Sequence, residues 1–232
     1  MNALEVQNFT SATNVYNVAV GFGAGAEITT GIHNTLIGGL AGDALTVGHR
    51  NVAVGKDALT ANVGGAKNIA IGEGSLSTFN SGSSASDTYN TAVGHFAGGS
   101  VTTGTQNTLI GGLAGDALTT GGLTAVGYNA GGSATSSIGN ICIGELAGAL
   151  LTTGSNNTAV GSQALSNEDA HGANVAVGHD ALRSLNVGAD GLSTAVGYNA
   201  GNNITTGQRN TMLGAKTADA LRTGSNNVFL GS

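Results

Sequence analysis

The sequence predicts an all-β protein, a parallel β-solenoid or β-roll of about 13 coils with a 17-residue repeat. Three observations carry this prediction. A five-residue phrase recurs along the chain: Asn, a β-branched residue, usually Ala, a branched apolar residue, then Gly. Its copies begin at Asn17, Asn34, Asn51, Asn68, Asn90, Asn107, Leu123, Asn140, Asn157, Asn174, Ser193, Asn210 and Asn227, in steps of 17, 17, 17, 22, 17, 16, 17, 17, 17, 19, 17 and 17 residues. Gly accounts for 41 of 232 residues while Pro is absent, so the chain turns often yet keeps every backbone donor. Only 9 % of residues are charged and 4 % aromatic, whereas about a quarter are charged in an ordinary domain. Such a chain builds a small core many times instead of one large core once.

The composition excludes several classes. Gly without Pro or a Gly-X-Y period is not collagen. A flexible Gly-rich linker would not carry 40 % hydrophobic residues. No run approaches the ~18 apolar residues of a membrane-spanning helix, and Met1 to Thr10 shows no basic stretch followed by an apolar core, so neither membrane insertion nor a Sec-type signal peptide is expected. A net charge of −6 with seven scattered Lys and Arg argues against nucleic acid as a partner. Cys142 has no second cysteine to pair with.

With the Asn taken as position 1, each element of the coil follows. Position 2 is Val, Thr or Ile in all thirteen copies and position 4 is Val, Ile or Leu, so positions 2–4 predict a short strand with 2 and 4 on one face and 3 on the other. Position 5 is Gly throughout: Gly21, Gly38, Gly55, Gly72, Gly94, Gly111, Gly127, Gly144, Gly161, Gly178, Gly197, Gly214 and Gly231. These are expected to be corners that need positive φ. Position 8 is Ala in ten of the twelve complete copies, and a second apolar position near 12 (Ile28, Leu45, Leu151, Ile204) is often followed by Thr-Thr-Gly. Stacking coils at roughly 4.8 Å gives a rod of about 60 Å, in which Asn17, Asn34, Asn51, Asn68, Asn90, Asn107, Asn140, Asn157, Asn174, Asn210 and Asn227 form a structural ladder, each amide bonding those above and below.

Coils fall into three kinds. Type A carries Ala-Gly after a larger residue (Phe22, Phe96, Tyr128, Tyr198), type B reads close to Gly-Gly-Leu-Ala-Gly-Asp-Ala-Leu, and type C has Leu at position 9 (Leu59, Leu76, Leu165, Leu182). They run A, B, C, C, A, B, A, B, C, C, A, B, and residues 34–46 repeat identically at 107–119, so duplication of multi-coil blocks built the chain. Residues 1–16 read as a partial N-terminal coil or attachment segment and 17–232 as the solenoid domain; Ser11 to Asn17 resembles Ser84 to Asn90 at the end of a type C coil. Both ends cut a repeat in half, and uncapped strand edges invite end-to-end stacking. A core of Ala, Val and Ile is thin, which favours a homotrimer.

Chemistry is sparse. His33, His49, His95, His171 and His179 fall at positions 17, 16, 6, 15 and 6, away from metal-ligand spacing. Glu168 and Asp169 form one acidic pair in an irregular coil, read as a loop bulge, and Asp43, Asp116 and Asp219 recur at position 10 of type B coils as turn residues. Cys142, at position 3, reads as a packed apolar residue. No catalytic, cofactor or metal site is expected. Thr-Thr pairs beginning at Thr29, Thr102, Thr119, Thr152 and Thr205 suggest a minor alternative, an ice-binding solenoid face.

Asn-Val-Ala-Val-Gly at residues 51–55 and 174–178 and Asn-Ile-Ala-Ile-Gly at 68–72 resemble the repeat of YadA-like trimeric autotransporter adhesin heads, which are trimerising parallel β-rolls. The phrases at Asn90 to Gly104 and Asn157 to Gly161 are still more similar to fibre-like structural proteins of marine bacteriophages. The resemblance spans about residues 11–231. It implies a non-enzymatic fibre, spike or decoration protein of a phage virion, contacting other virion proteins and a host cell-surface glycan or protein. An autotransporter would also need a signal peptide, a stalk and a membrane barrel, and a phage protein needs none of them. The alternative is an extracellular filament subunit that stacks end to end. A glycan-active enzyme is a third class, without a carboxylate constellation to support it.

Overall fold

The computed structural model describes residues 2–7, 14–168 and 170–232, and among these there are strands and turns but no helix. The strands are β1 (Val18–Val20), β2 (Thr35–Ile37), β3 (Val52–Val54), β4 (Gly65–Ala66), β5 (Ile69–Ile71), β6 (Ser86–Asp87), β7 (Thr91–Val93), β8 (Thr108–Ile110), β9 (Leu123–Val126), β10 (Asn140–Ile143), β11 (Thr158–Val160), β12 (Val175–Val177), β13 (Thr194–Val196), β14 (Thr211–Leu213) and β15 (Val228–Leu230). The chain divides into two compact units, Met1–Thr120 and Gly121–Ser232. Each is a parallel β-solenoid. In the first, β1, β2, β3, β5, β7 and β8 pair in parallel, every residue of one phrase opposite its counterpart in the next. In the second, β9 to β15 pair in the same way. The five extra residues of the coil from Asn68 go into a small second ladder, β4 with β6.

The strand faces are the reverse of what hydrophobicity suggests. Position 3, mostly Ala, is the buried one: Ala53, Ala70, Ala92, Ala125 and Ala159 are fully enclosed, as are Leu36, Leu109, Cys142 and Met212 in the same place. Positions 2 and 4 face outward, with Ile37, Ile69, Ile71, Ile110, Ile141 and Ile143 each exposed to the extent of 37–39 %. The expected core of Ala, Val and Ile is thus corrected at the strands, whose Val and Ile face out, while the buried Val and Ile, such as Ile28, Val101 and Ile204, come from position 12. The lumen is closed by positions 3, 8 and 12, for example Ala53, Ala58 and, one coil earlier, Leu45. A short coil leaves too little width for branched residues from every strand, so the smallest side chain points in.

Position 5 is a corner that only Gly can occupy. Gly38 has φ +137, and a Cβ placed there would lie 2.4 Å from the carbonyl oxygen of Gly55 in the next coil. Three further corners use left-handed backbone, at positions 7, 9 and 17, and many are not Gly. In the coil from Asn34 they are Leu40 (φ 59), Gly42 (φ 54) and Arg50 (φ 56). Left-handed conformation costs an L-residue about 1–2 kcal/mol. It persists because bonds to the preceding coil hold it: Leu40 N–H donates to Phe22 O at 2.8 Å and Arg50 N–H to Ile32 O at 3.0 Å.

The order of coil types is a packing rule. In a type A coil, position 3 is Ala and position 9 is Gly, which leaves a void. At Gly98 that void holds Leu109 from the following coil and Leu76 from the preceding one, 2.6 and 3.2 Å from where a Cβ would stand. At Gly201, Met212 and Leu182 do the same, and at Gly25, Leu36 and Leu4. A type A coil thus needs Leu at position 9 before it and a large residue at position 3 after it. The coil from Leu123 follows, by sequence, one with Gly115 at position 9. Here Leu123 itself, fully buried, lies 3.1 Å from the vacant position at Gly131. One of the two departures from Asn at position 1 is explained by volume.

The N-terminal residues 2–7 join this stack. Leu4 N–H donates to Ala24 O at 3.1 Å and Val6 N–H to Ala26 O at 3.2 Å. Leu4 has φ 51, like Leu165 at position 9 of a type C coil, so it occupies that place in a coil before β1. Of the segment compared with Ser84 to Asn90, Ser11 to Thr13 lie outside the described residues.

Candidate functional site

The Asn ladder is stitched through the backbone more than from amide to amide. The backbone N–H of Asn51 donates to Asn34 Oδ1 at 2.9 Å, and Asn51 Nδ2 donates across its own coil to Gly65 O at 2.9 Å. The side-chain oxygen substitutes for a strand carbonyl just before the ladder begins. Direct amide-to-amide bonds add to this in some coils, as from Asn107 Nδ2 to Asn90 Oδ1 at 2.9 Å. Ser193 keeps part of the role, its Oγ accepting from Asn210 N–H at 3.2 Å. Where Leu123 stands, β9 and β10 instead extend by one pair, Leu123 with Asn140. From Asn34 to Asn210 these side chains are buried and structural, and Asn17 and Asn227 at the ends are half-buried.

The histidines are not brought together as a site. His95 packs edge-on against Phe96, His179 stacks on Tyr198 with ring centroids 5.5 Å apart, and Tyr16 stacks on His33 at 5.7 Å. Among the described residues no three His, Cys, Asp or Glu side chains are grouped to hold a metal ion. Around the insertion, Lys67 Nζ lies 2.6 Å from Asp87 Oδ2 and 3.0 Å from Tyr89 Oη, with His49 4.0 Å from the same carboxylate. The hydrogen bond from Lys67 holds the Asp87 carboxyl below its usual range.

Glu168 is not in an outward bulge. It occupies core position 12, wholly buried, and accepts from His171 N–H at 3.3 Å and Val187 N–H at 3.5 Å, with the His171 ring 3.7 Å away. Asp169 lies outside the described residues. Asp43 accepts from the Thr60 hydroxyl of the next coil. The hydroxyls of Thr29, Thr102 and Thr205 each donate to a carbonyl of the next coil at 3.1–3.2 Å, so these surface side chains link coil to coil.

Cys142 is fully buried, and burial pushes its thiol up to about 12. The thiolate is the reactive form. Iodoacetamide at pH 8 is therefore expected to alkylate native protein at least 100-fold more slowly than urea-unfolded chain, read by mass spectrometry. A thiol raised above its unfolded value stabilises the fold at neutral pH and ceases to do so as pH rises through about 9 to 12, so alkali should speed the reaction and lower the stability together.

What remains conspicuous is a surface. Across both units, the outward positions 2 and 4 are Thr, Val, Ile or Leu in every copy, twenty-six positions without one charge or amide. The parallel register aligns them in two straight rows on each unit. Comparisons with family models, curated proteins and solved structures give no match. The surface is the feature from which a function can be argued. Sequence reading found its residues but not its direction, because it assigned Val and Ile to the core.

Proposed function

We propose that this chain is a non-enzymatic structural segment of a phage virion fibre, spike or decoration, in which three copies associate through the outward sheet face and the remaining surface serves host adhesion. The uncharged apolar face carries the reading. A strand of three residues spans about 10 Å and coils repeat at about 4.8 Å, so the six- and seven-stranded faces offer roughly 300 Å² of flat sheet each. A flat apolar patch of this size is often a functional contact surface. A face without charge meets its own copy without repulsion. The phrases shared with phage fibre-like proteins and trimeric adhesin heads support the assignment to a virion.

Native mass spectrometry checks the association: three times the chain mass is expected. Ile69→Glu with Ile71→Glu places charges on the face and should give monomers that keep the far-ultraviolet circular dichroism of the parent. A monomeric parent protein would end the trimer reading.

A further inference from the structure

Positions 7, 10 and 11 of successive coils line a groove beside the corner, and at one place in the first unit it opens into a cleft of about 360 Å³. Its walls are Ser77, Thr78, Phe96, Gly99, Ser100, Leu113 and Asp116. The cleft exists because two glycines stand where other coils have side chains. Phe96 lies over Gly74 of the preceding coil, where a Cβ would come 2.6 Å from the ring, and against Gly99, where a Cβ would come within 3.2 Å. The ring is held in place and is still 41 % exposed.

The polar groups around this platform are mostly acceptors. Thr78 Oγ1 is placed to donate to Gly99 O or Val101 O, at 2.8 and 2.9 Å, and Ser77 Oγ to Gly99 O at 3.2 Å, so each hydroxyl spends its proton on the solenoid and can act toward a ligand as an acceptor. Asp116 is half-buried, and burial raises its carboxyl above the usual value. Its identically placed counterpart in the 34–46 copy, Asp43, is occupied by the Thr60 hydroxyl. Ser100 is exposed and can donate. No lining residue is a cation.

We propose that this cleft binds a neutral hexopyranose unit of a glycan. This inference rests on the adhesion reading above and names its ligand class. A pyranose presents an apolar C–H face that fits a fixed aromatic ring, and vicinal hydroxyls that donate to a carboxylate and to hydroxyl oxygens. The cleft volume lies within the ~300–1,000 Å³ of small-ligand sites. An acidic sugar would meet Asp116 with no countercharge. The same groove in the second unit is lined by Leu146, Ala149, Leu150, Gln163, Asn167 and Arg183, among others, with neither aromatic ring nor carboxylate, and takes no sugar.

Saturation-transfer NMR on the full chain, with the methyl glycosides of glucose, galactose and mannose and with methyl glucuronide as the acidic comparison, tests this. At least one neutral glycoside should receive saturation on its ring C–H protons, with Kd on the order of millimolar, and the glucuronide should not. Phe96→Ala and Asp116→Asn should each weaken binding at least tenfold, while Leu150→Ser in the second-unit groove leaves it unchanged. Absence of transfer to every neutral glycoside, equal binding of the glucuronide, or transfer surviving both cleft variants in folded protein overturns the proposal. Native mass spectrometry of the same samples reports separately on association, so loss of the trimer and loss of sugar binding are distinguishable.

Discussion

Gly94→Ala is expected to destabilise the protein by at least about 4 kcal/mol, more than almost any surface substitution can. Two effects coincide at this residue. Its φ is +141, a region that L-residues avoid, and a Cβ would stand 2.4 Å from the carbonyl oxygen and 2.5 Å from the carbonyl carbon of Gly111. That carbonyl belongs to a corner of the same kind, so it cannot move aside without shifting the next coil. Gly39→Ala is the comparison: it is also a Gly-to-Ala change, one residue beyond a corner, with open space where the Cβ would go. It should be neutral or slightly stabilising through loss of unfolded-state entropy. In thermal unfolding followed by circular dichroism, Gly94→Ala should lower the midpoint by roughly 10 °C or more, and Gly39→Ala by almost nothing. Equal midpoints would show that the corners are not rigidly stacked.

The same contrast shows what the sequence makes legible. A glycine required at every corner leaves a strict period, and so do β-branched residues in register; the strands and their pairing could be read from those alone. The left-handed residues at positions 7 and 17 leave no such trace. Leu40, Asp57 and Phe96 share one backbone conformation, as do His33, Arg50 and Gln106, yet they share no chemistry, because the neighbouring coil imposes the conformation. The orientation of the strand was hidden for another reason. Burial normally follows hydrophobicity, but in most of these strands Ala goes in and Ile stays out, the lumen being filled from position 12 as well. The repeat register places Glu168 at position 12, where other coils carry apolar residues, and a carboxylate there reads as a bulge; only the amides of His171 and Val187 show how it stays in the core. The cleft at Phe96 depends on Gly99, three residues on in the same coil, and on Gly74, 22 residues back across the lengthened coil, and no local pattern joins the two glycines.

Asn90→Ala should be the second most damaging change, at about 3–5 kcal/mol. Asn90 Oδ1 accepts from the backbone N–H of Asn107 at 3.0 Å and from its Nδ2 at 2.9 Å, and Asn90 Nδ2 donates to Gly104 O at 2.9 Å. Truncation takes a partner from each of these groups in a closed interior, at about 1–3 kcal/mol for every one left unsatisfied. Ser193 shows what a shorter acceptor can keep, since its hydroxyl still reaches Asn210 N–H. Denaturant midpoints should therefore fall in the order parent, Asn90→Ser, Asn90→Ala. Leu serves at position 123 because the space at Gly131 is there to fill. At position 90 the corresponding space beside Gly98 already holds Leu76 and Leu109, so Asn90→Leu adds overpacking to the lost bonds and should fall below alanine. An Asn90→Leu protein more stable than Asn90→Ala would mean that the ladder contributes through volume and not through hydrogen bonding.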